Sequence, residues 1–423
     1  MMQSRGQLRG RSRWRSTGTR RTFLGACLAL AALLSLAPQK AAAVEVCPWC
    51  KNDPALMAAA GVVSHGPIPI GPKGSEEIVR TLPTTLWVFL ETAHLRWASN
   101  LGPCAVDLKD KPRVEAELAR LRLALPTVPE KAKKLDPFLR LHLFAMRGEE
   151  LYARFQKLLQ VTDADFPAER QAQGPYMGNG RFLGEKDKFE VVIHNVRATH
   201  VPFSQSFSGA GVTDSLRWHF KEHHKLIASV PAEDPDLRQD RWLFPHVAHN
   251  LSHLFFCAYK HFNYDPPIWL DEGLAHAVEK EIDPESNTTD GEEGSLRDTS
   301  GPPDWKKAAR QLVLSGKDRS LADLLHAKEF AELDMDANIV AWSKVRFLME
   351  TEPDKFREVP GAREGAIGRP GRAQRPEPGG PAAQRVAGAL RLDARRAGRL
   401  LARLGQALSR GHGPGAGPLA PAP

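Results

Sequence analysis

The chain has 423 residues, 42% of them hydrophobic, which is enough to bury a sizeable core over more than one domain's length. Its net charge of +8 is unevenly placed: residues 1–43 hold eight basic and no acidic residues, residues 361–423 hold eleven Arg and three acids, and the stretch 44–360 between them carries −8. An acidic body leaves no electrostatic case for nucleic-acid binding, and no segment after residue 43 is apolar for long enough to span a membrane.

Residues 1–21 carry seven Arg and no acid, Phe23 to Ala37 is apolar, and Ala41-Ala42-Ala43 offers a small-residue cleavage site. This is the pattern of an export signal. Thr19-Arg20-Arg21-Thr22-Phe23-Leu24 resembles the twin-arginine signal of bacteria, with a general secretory signal as the alternative. The expectation is an exported protein, periplasmic or extracellular. Removal of residues 1–43 leaves Cys47, Cys50, Cys104 and Cys257. The pair Cys47-Pro48-Trp49-Cys50 admits a local disulfide, half of a metal site or a redox dithiol. Within the segment 44–80, the Gly/Pro-rich run 61–74 reads as a linker or as an arm that wraps the surface.

Residues 81–235 read as the amino-terminal part of the body. Strands are expected over Leu86 to Leu90, His94 to Trp97, Lys188 to Ile193 and Lys225 to Val230. Helices are expected over Arg113 to Leu125 and over Leu135 to Leu159, where Leu139, Leu143, Met146 and Leu151 make a buried stripe. Residues 236–360 add helices over Asp304 to Leu314, Leu321 to Leu333 and Ile339 to Glu350. This order predicts an α+β fold, rich in helix, with a small mixed sheet. The tail 361–423 has no Lys, Asn, Thr, Met, Phe, Tyr, Trp or Cys. It reads either as a disordered low-complexity extension or as a shifted frame, the native one ending near Val359.

The chemistry concentrates in His249-Asn250-Leu251-Ser252-His253, followed after eighteen residues by Glu272 within Trp269-Leu270-Asp271-Glu272-Gly273-Leu274-Ala275. Residues four apart on a helix project from one face roughly 6 Å apart, so both imidazoles reach one metal ion, and a carboxylate from a second helix makes three ligands. An isolated pair of His four apart is more often a satisfied core or surface pair. The segment Phe244 to Glu281 resembles the gluzincin branch of the zincin metallopeptidases, closest to the aminopeptidase-N-like and peptidase-MA-like proteins. That resemblance implies a zincin-like metallopeptidase domain with Zn²⁺ on His249, His253 and Glu272, and it places Asn250 where the family has its general base. An amide cannot accept a proton near neutral pH. The family's Gly-x-Met-Glu-Asn box is absent, and no Tyr follows Tyr264 to stabilise an oxyanion.

His246, His276 and Glu279 fall one or two turns from the ligands and are expected around them, with His276 either hydrogen-bonding a ligand or closing the site as a fourth one. His219-Phe220-Lys221-Glu222-His223 matches the inverted HxxEH pattern, its alternative being a solvated helix face that could still lend Glu222 as a displaced base. Asn287-Thr288-Thr289 reads as a polar surface loop. The functional expectation is an exported zincin-like protein, catalytically impaired, that binds peptide or protein segments. The alternatives are an active zinc hydrolase with a non-standard base and a metal-free interaction domain.

Overall fold

The computed structural model describes residues 46–361 apart from 83–84, 169–175, 234–236, 261–265 and 292–293. The expected export signal, its expected cleavage site and the tail after 361 lie outside the described residues. Five strands, β1 (Val88–Glu91), β2 (Leu95–Ser99), β3 (Phe189–His194), β4 (Leu216–Phe220) and β5 (Lys225–Pro231), form one sheet in the order β1-β2-β3-β5-β4. The inner pairs β2–β3 and β3–β5 are parallel, and the outer pairs β1–β2 and β4–β5 are antiparallel. With helices, this makes the mixed α+β architecture expected from the sequence.

Strands β3 and β5 are buried along their whole length, which is why they read as unbroken apolar runs. Their side chains alternate between two cores. Val191, Ile193, Ala228 and Val230 face the larger core with Phe144, Phe155 and Phe255, whereas Val192 and Ile227 face a smaller one with Ile68, Ile70, Phe203 and Phe207. The Gly/Pro-rich run is therefore a wrapping arm. Glu91 N–H donates to Ser64 O at 2.7 Å, Val63 N–H donates to Glu91 O at 2.6 Å, and Ile68 and Ile70 seal the second face of the sheet.

On the first face lies helix α1 (Pro137–Leu159), whose start is fixed by Asp136 accepting from Phe138 N (3.0 Å) and Leu139 N (3.1 Å). Helix α2 (Arg197–Ser208) covers part of the opposite face; Pro202 and its serines blur its periodicity, so the sequence reading passed over it. Helices α3 (Asp240–Ala258), α4 (Ile268–Ile282) and α5 (Met335–Thr351) pack in series, α3 against β5 and α4 between α3 and α5. Gly273 permits the last contact: a Cβ there would lie 2.8 Å from Ala341 O and 2.7 Å from Val345 Cγ2. A short hairpin, β6 (Thr288–Asp290) with β7 (Ser295–Arg297), docks on β4 through paired backbone bonds between Ser215 and Ser295.

Two expected elements differ. Leu321 to Leu333 is not one helix but Leu321–His326 followed by a 3₁₀ turn Phe330–Glu332. The Glu332 carboxylate takes Lys328 N at 3.0 Å and starts a new turn there. Residues 216–220, within the segment read as a polar helix face, form edge strand β4, so His219 and His223 do not share a helix and the HxxEH pattern does not assemble.

Candidate metal centre

Helix α3 sets His249 and His253 one turn apart with their Nε2 atoms 3.2 Å from each other. From α4, Glu272 Oε2 approaches His253 Nε2 at 3.4 Å and His249 Nε2 at 3.9 Å. A fourth group enters from β6: Asp290 Oδ1 lies 3.5 Å from His249 Nε2, and Oδ2 lies 3.4 Å from His253 Nε2. One ligand atom from each of the four lies within 4.8 Å of all the others. Metal bonds of about 2.0–2.2 Å put tetrahedral nitrogen and oxygen ligands roughly 3.3–3.5 Å apart, so the cage needs little adjustment to hold an ion. All four side chains are buried, none more than 5% exposed.

The surrounding layer fixes which nitrogen of each imidazole faces the cage. Glu279 Oε2 lies 3.3 Å from His249 Nδ1, and Asp271 Oδ2 lies 3.0 Å from His253 Nδ1. A carboxylate accepts only, so each Nδ1 is the nitrogen that keeps a proton, which leaves each Nε2 to present its lone pair to the cage when a metal ion is bound. Glu279 is itself held by Ser286 Oγ (2.9 Å), Thr288 N (3.1 Å) and Thr288 Oγ1 (2.7 Å). The Thr288 hydroxyl, having spent its proton there, accepts from His246 Nδ1 at 3.0 Å, and His246 Nε2 accepts from Ser215 Oγ at 2.7 Å. His276 sits beneath the other ligand, with Nε2 3.1 Å from Glu272 Oε1. His246, His276 and Glu279 thus support the ligands, and Asp290, not His276, takes the fourth position.

The electrostatics call for a cation. Four buried carboxylates, Asp271, Glu272, Glu279 and Asp290, face one guanidinium, Arg217, which grips both Asp290 oxygens. Burial pulls His249 down, but Asp290 and Glu279 more than offset it and raise it to about 10. Burial and Asp290 push Glu272 up, and His276 and His253 outweigh them to hold it at about 2. Both Glu272 oxygens are buried without an aligned hydrogen-bond donor. Buried charge of this density is stable only when paired, and here either protons on the imidazoles or a bound metal ion supply the pairing. The trio His249, His276 and Glu279 also lies within ligand reach but has three donors against four.

Asn250 is fully committed elsewhere. Its Oδ1 accepts from Arg217 Nη1 (3.1 Å) and Ser295 Oγ (2.9 Å), and its Nδ2 donates to His246 O (2.9 Å) and lies 3.4 Å from His246 Nε2. It ties α3 to β4 and β7, so no amide group is left to orient a water. Glu222 lies exposed on the turn after β4 and is not among the residues brought together here. Asn287 and Thr288 correct the surface-loop expectation: they are 5% and 1% exposed, because β6 must carry Thr288 and Asp290 inward. The sequence reading missed Asp271, Asp290, Arg217, Ser215 and Ser295. Of these only Asp271, inside the Trp-Leu-Asp-Glu-Gly box, stood in a recognisable motif. No protein-family model matches the chain, and no curated protein is significantly similar to it.

Proposed function

We propose that the chain is an exported, zincin-like protein that holds one Zn²⁺ through His249, His253, Glu272 and Asp290 in a closed site and does not hydrolyse peptides. The observation that carries this reading is Asp290 in the fourth ligand position. Catalytic zinc sites keep that position for water or substrate, whereas structural sites fill it with protein. Two further facts support it: the ligands are buried, and the side chain in the base position is an amide already engaged by Arg217, Ser295 and His246 O. Two imidazoles and two carboxylates form a nitrogen–oxygen donor set that suits zinc in tetrahedral geometry. When bound, the ion would cross-link α3, α4 and the β6–β7 hairpin.

What remains of a peptidase in this reading is the sheet edge. Strand β4 borders the sheet beyond the hairpin's bonds at Ser215, and its side chains from Arg217 to Phe220 are half-buried, a surface on which an extended peptide or protein segment can add as a further strand. The test is the zinc content of the purified chain beside a His253→Ala variant, with hydrolysis of an unfolded protein substrate followed in parallel. Loss of one equivalent in the variant and no hydrolysis by either chain is expected. Equal zinc in both chains, or zinc-dependent cleavage, would overturn the proposal.

A further inference from the structure

A second cluster lies apart from this centre, in the first described turn of the chain. Cys47 and Cys50 are free thiols, each 0% exposed, and each has an imidazole beside its sulfur. Cys47 Sγ lies 3.3 Å from His142 Nε2, and Cys50 Sγ lies 3.0 Å from His65 Nε2. His65 and His142 are 4% and 3% exposed. One ligand atom from each of the four lies within 4.8 Å of all the others. From these positions we propose that Cys47, Cys50, His65 and His142 form a tetrahedral Cys₂His₂ zinc site that clasps the amino-terminal turn and the wrapping arm to helix α1.

The local structure is arranged for ligation. His65 Nδ1 lies 3.0 Å from Phe89 O, and because a carbonyl accepts only, Nδ1 carries the proton and Nε2 offers its lone pair toward Cys50. A carbonyl on the far nitrogen of a metal-bound histidine is a usual supporting arrangement. The Cys-x-x-Cys turn is closed by Lys51 N donating to Cys47 O and Asp53 N donating to Cys50 O, both at 2.9 Å, with Lys51 and Asn52 at φ of 59° and 53°. Asn52 Oδ1 accepts from Cys47 N at 3.1 Å and tightens the same turn. Zn–S bonds of about 2.3 Å and Zn–N bonds of about 2.0–2.1 Å set tetrahedral neighbours roughly 3.3–3.8 Å apart, close to the contacts present here.

Two rival uses of these residues fit less well. A redox dithiol needs an accessible sulfur, and neither has exposed area. A local disulfide would leave His65 Nε2 and His142 Nε2 facing a bridge with no proton to share. A zinc ion uses all four groups at once. It joins three segments that are distant in sequence, the turn at 47–50, the arm at 65 and helix α1 at 142, where the neighbouring contacts include one bond from Trp49 Nε1 to Asp136 Oδ2 at 3.0 Å.

Reconstitution of the full chain with Co²⁺ tests this site alone, since the His249 centre has no sulfur ligand. The expected result is a thiolate-to-cobalt charge-transfer band in the near ultraviolet, lost in Cys50→Ser, together with a fall in zinc content by one equivalent. Thiol titration of the unaltered native chain provides a check that does not depend on a variant folding: Cys47 and Cys50 react only after the metal is chelated. Absence of the charge-transfer band, or an intact mass showing a Cys47–Cys50 disulfide in the purified chain, would overturn the proposal whatever the outcome at the other centre.

Discussion

Asp290→Asn is the substitution that separates a ligand from a mere counter-ion. With zinc bound, the two carboxylates Glu272 and Asp290 neutralise the ion within a site no more than 5% exposed. The amide keeps the size of the side chain and an oxygen for Arg217, but it removes one negative charge from a buried set. Breaking a buried charge pair by removing one partner costs about 3–5 kcal/mol, and each 1.4 kcal/mol is about tenfold in affinity. Zinc binding should therefore weaken by roughly two to four powers of ten, nearer two because the amide oxygen still reaches the ion.

The assay is competition for zinc against a chromophoric chelator at neutral pH, with Arg217→Met as the control. Arg217 holds both Asp290 oxygens and Asn250. Its removal destabilises the metal-free chain but takes away a competitor for Asp290 and a like charge beside the ion, so zinc affinity should stay level or rise. If Asp290→Asn binds zinc as tightly as the unaltered chain while Arg217→Met binds it worse, then Asp290 serves Arg217 and not the metal, and the closed-site argument fails.

Other outcomes follow from the same structure. Asn250→Glu should not create a peptidase, because Asp290 still fills the fourth position; a new zinc-dependent cleavage of an unfolded protein substrate would contradict this. Chelation should lower the melting temperature, since a ligand present at about 1,000 times its Kd stabilises the native state by about 4 kcal/mol; an unchanged melting curve would mean that no metal is held. Gly273→Ala forces a Cβ to within 2.8 Å of Ala341 O, and overpacking of this kind costs about 1–3 kcal/mol, read as a lower urea midpoint at unchanged slope. His94 lies 2.6 Å from Glu149 Oε2 and 2.8 Å from Asp163 Oδ2; burial alone would lower its pKa, but the two carboxylates raise it above 6.5. Its contribution is then complete below the unfolded value and is lost as pH rises through the raised one. The stability difference between the unaltered chain and His94→Gln should shrink upward from neutral pH, and a difference that grew with pH would refute the assignment.

The parts legible in the sequence were those in which one short segment carries the whole signal. Strands β3 and β5 are covered on both faces, so they stand out as apolar runs, and α1 announces itself by its buried stripe, although its start at the Asp136 cap does not. The pair His249 and His253 is set by helical pitch, and Glu272 lies in a dense local box. What stayed hidden depends on pairing across the chain. Strand β4 has mixed polar and aromatic side chains that are half-buried, a pattern without a clean period. Asp290 sits in a polar run whose inward turn is imposed by β7 and by the bonds between Ser215 and Ser295, neither of which leaves a trace near residue 290. His65 and His142 meet the Cys47–Cys50 turn only because the arm folds back along β1 and α1 crosses beneath it.

Asn250, Arg217 and Asp290 are physically one device. An aspartate in the fourth position adds a buried negative charge between two imidazoles, and Arg217 from β4 is the group that offsets it in the absence of metal. Arg217 then needs an acceptor for its remaining Nη1 contact, and Asn250 Oδ1 supplies it while also taking Ser295 Oγ. A glutamate at 250 could accept those bonds, but it would add one more buried anion to a centre that already has four buried carboxylates in and around the cage, and it could not donate to His246 O as the amide does. The amide at 250, the guanidinium at 217 and the carboxylate at 290 therefore stand or fall together. A carboxylate at 250 alone leaves Asp290 in place beside the two imidazoles, and removing Asp290 alone leaves Arg217 without its counter-charge.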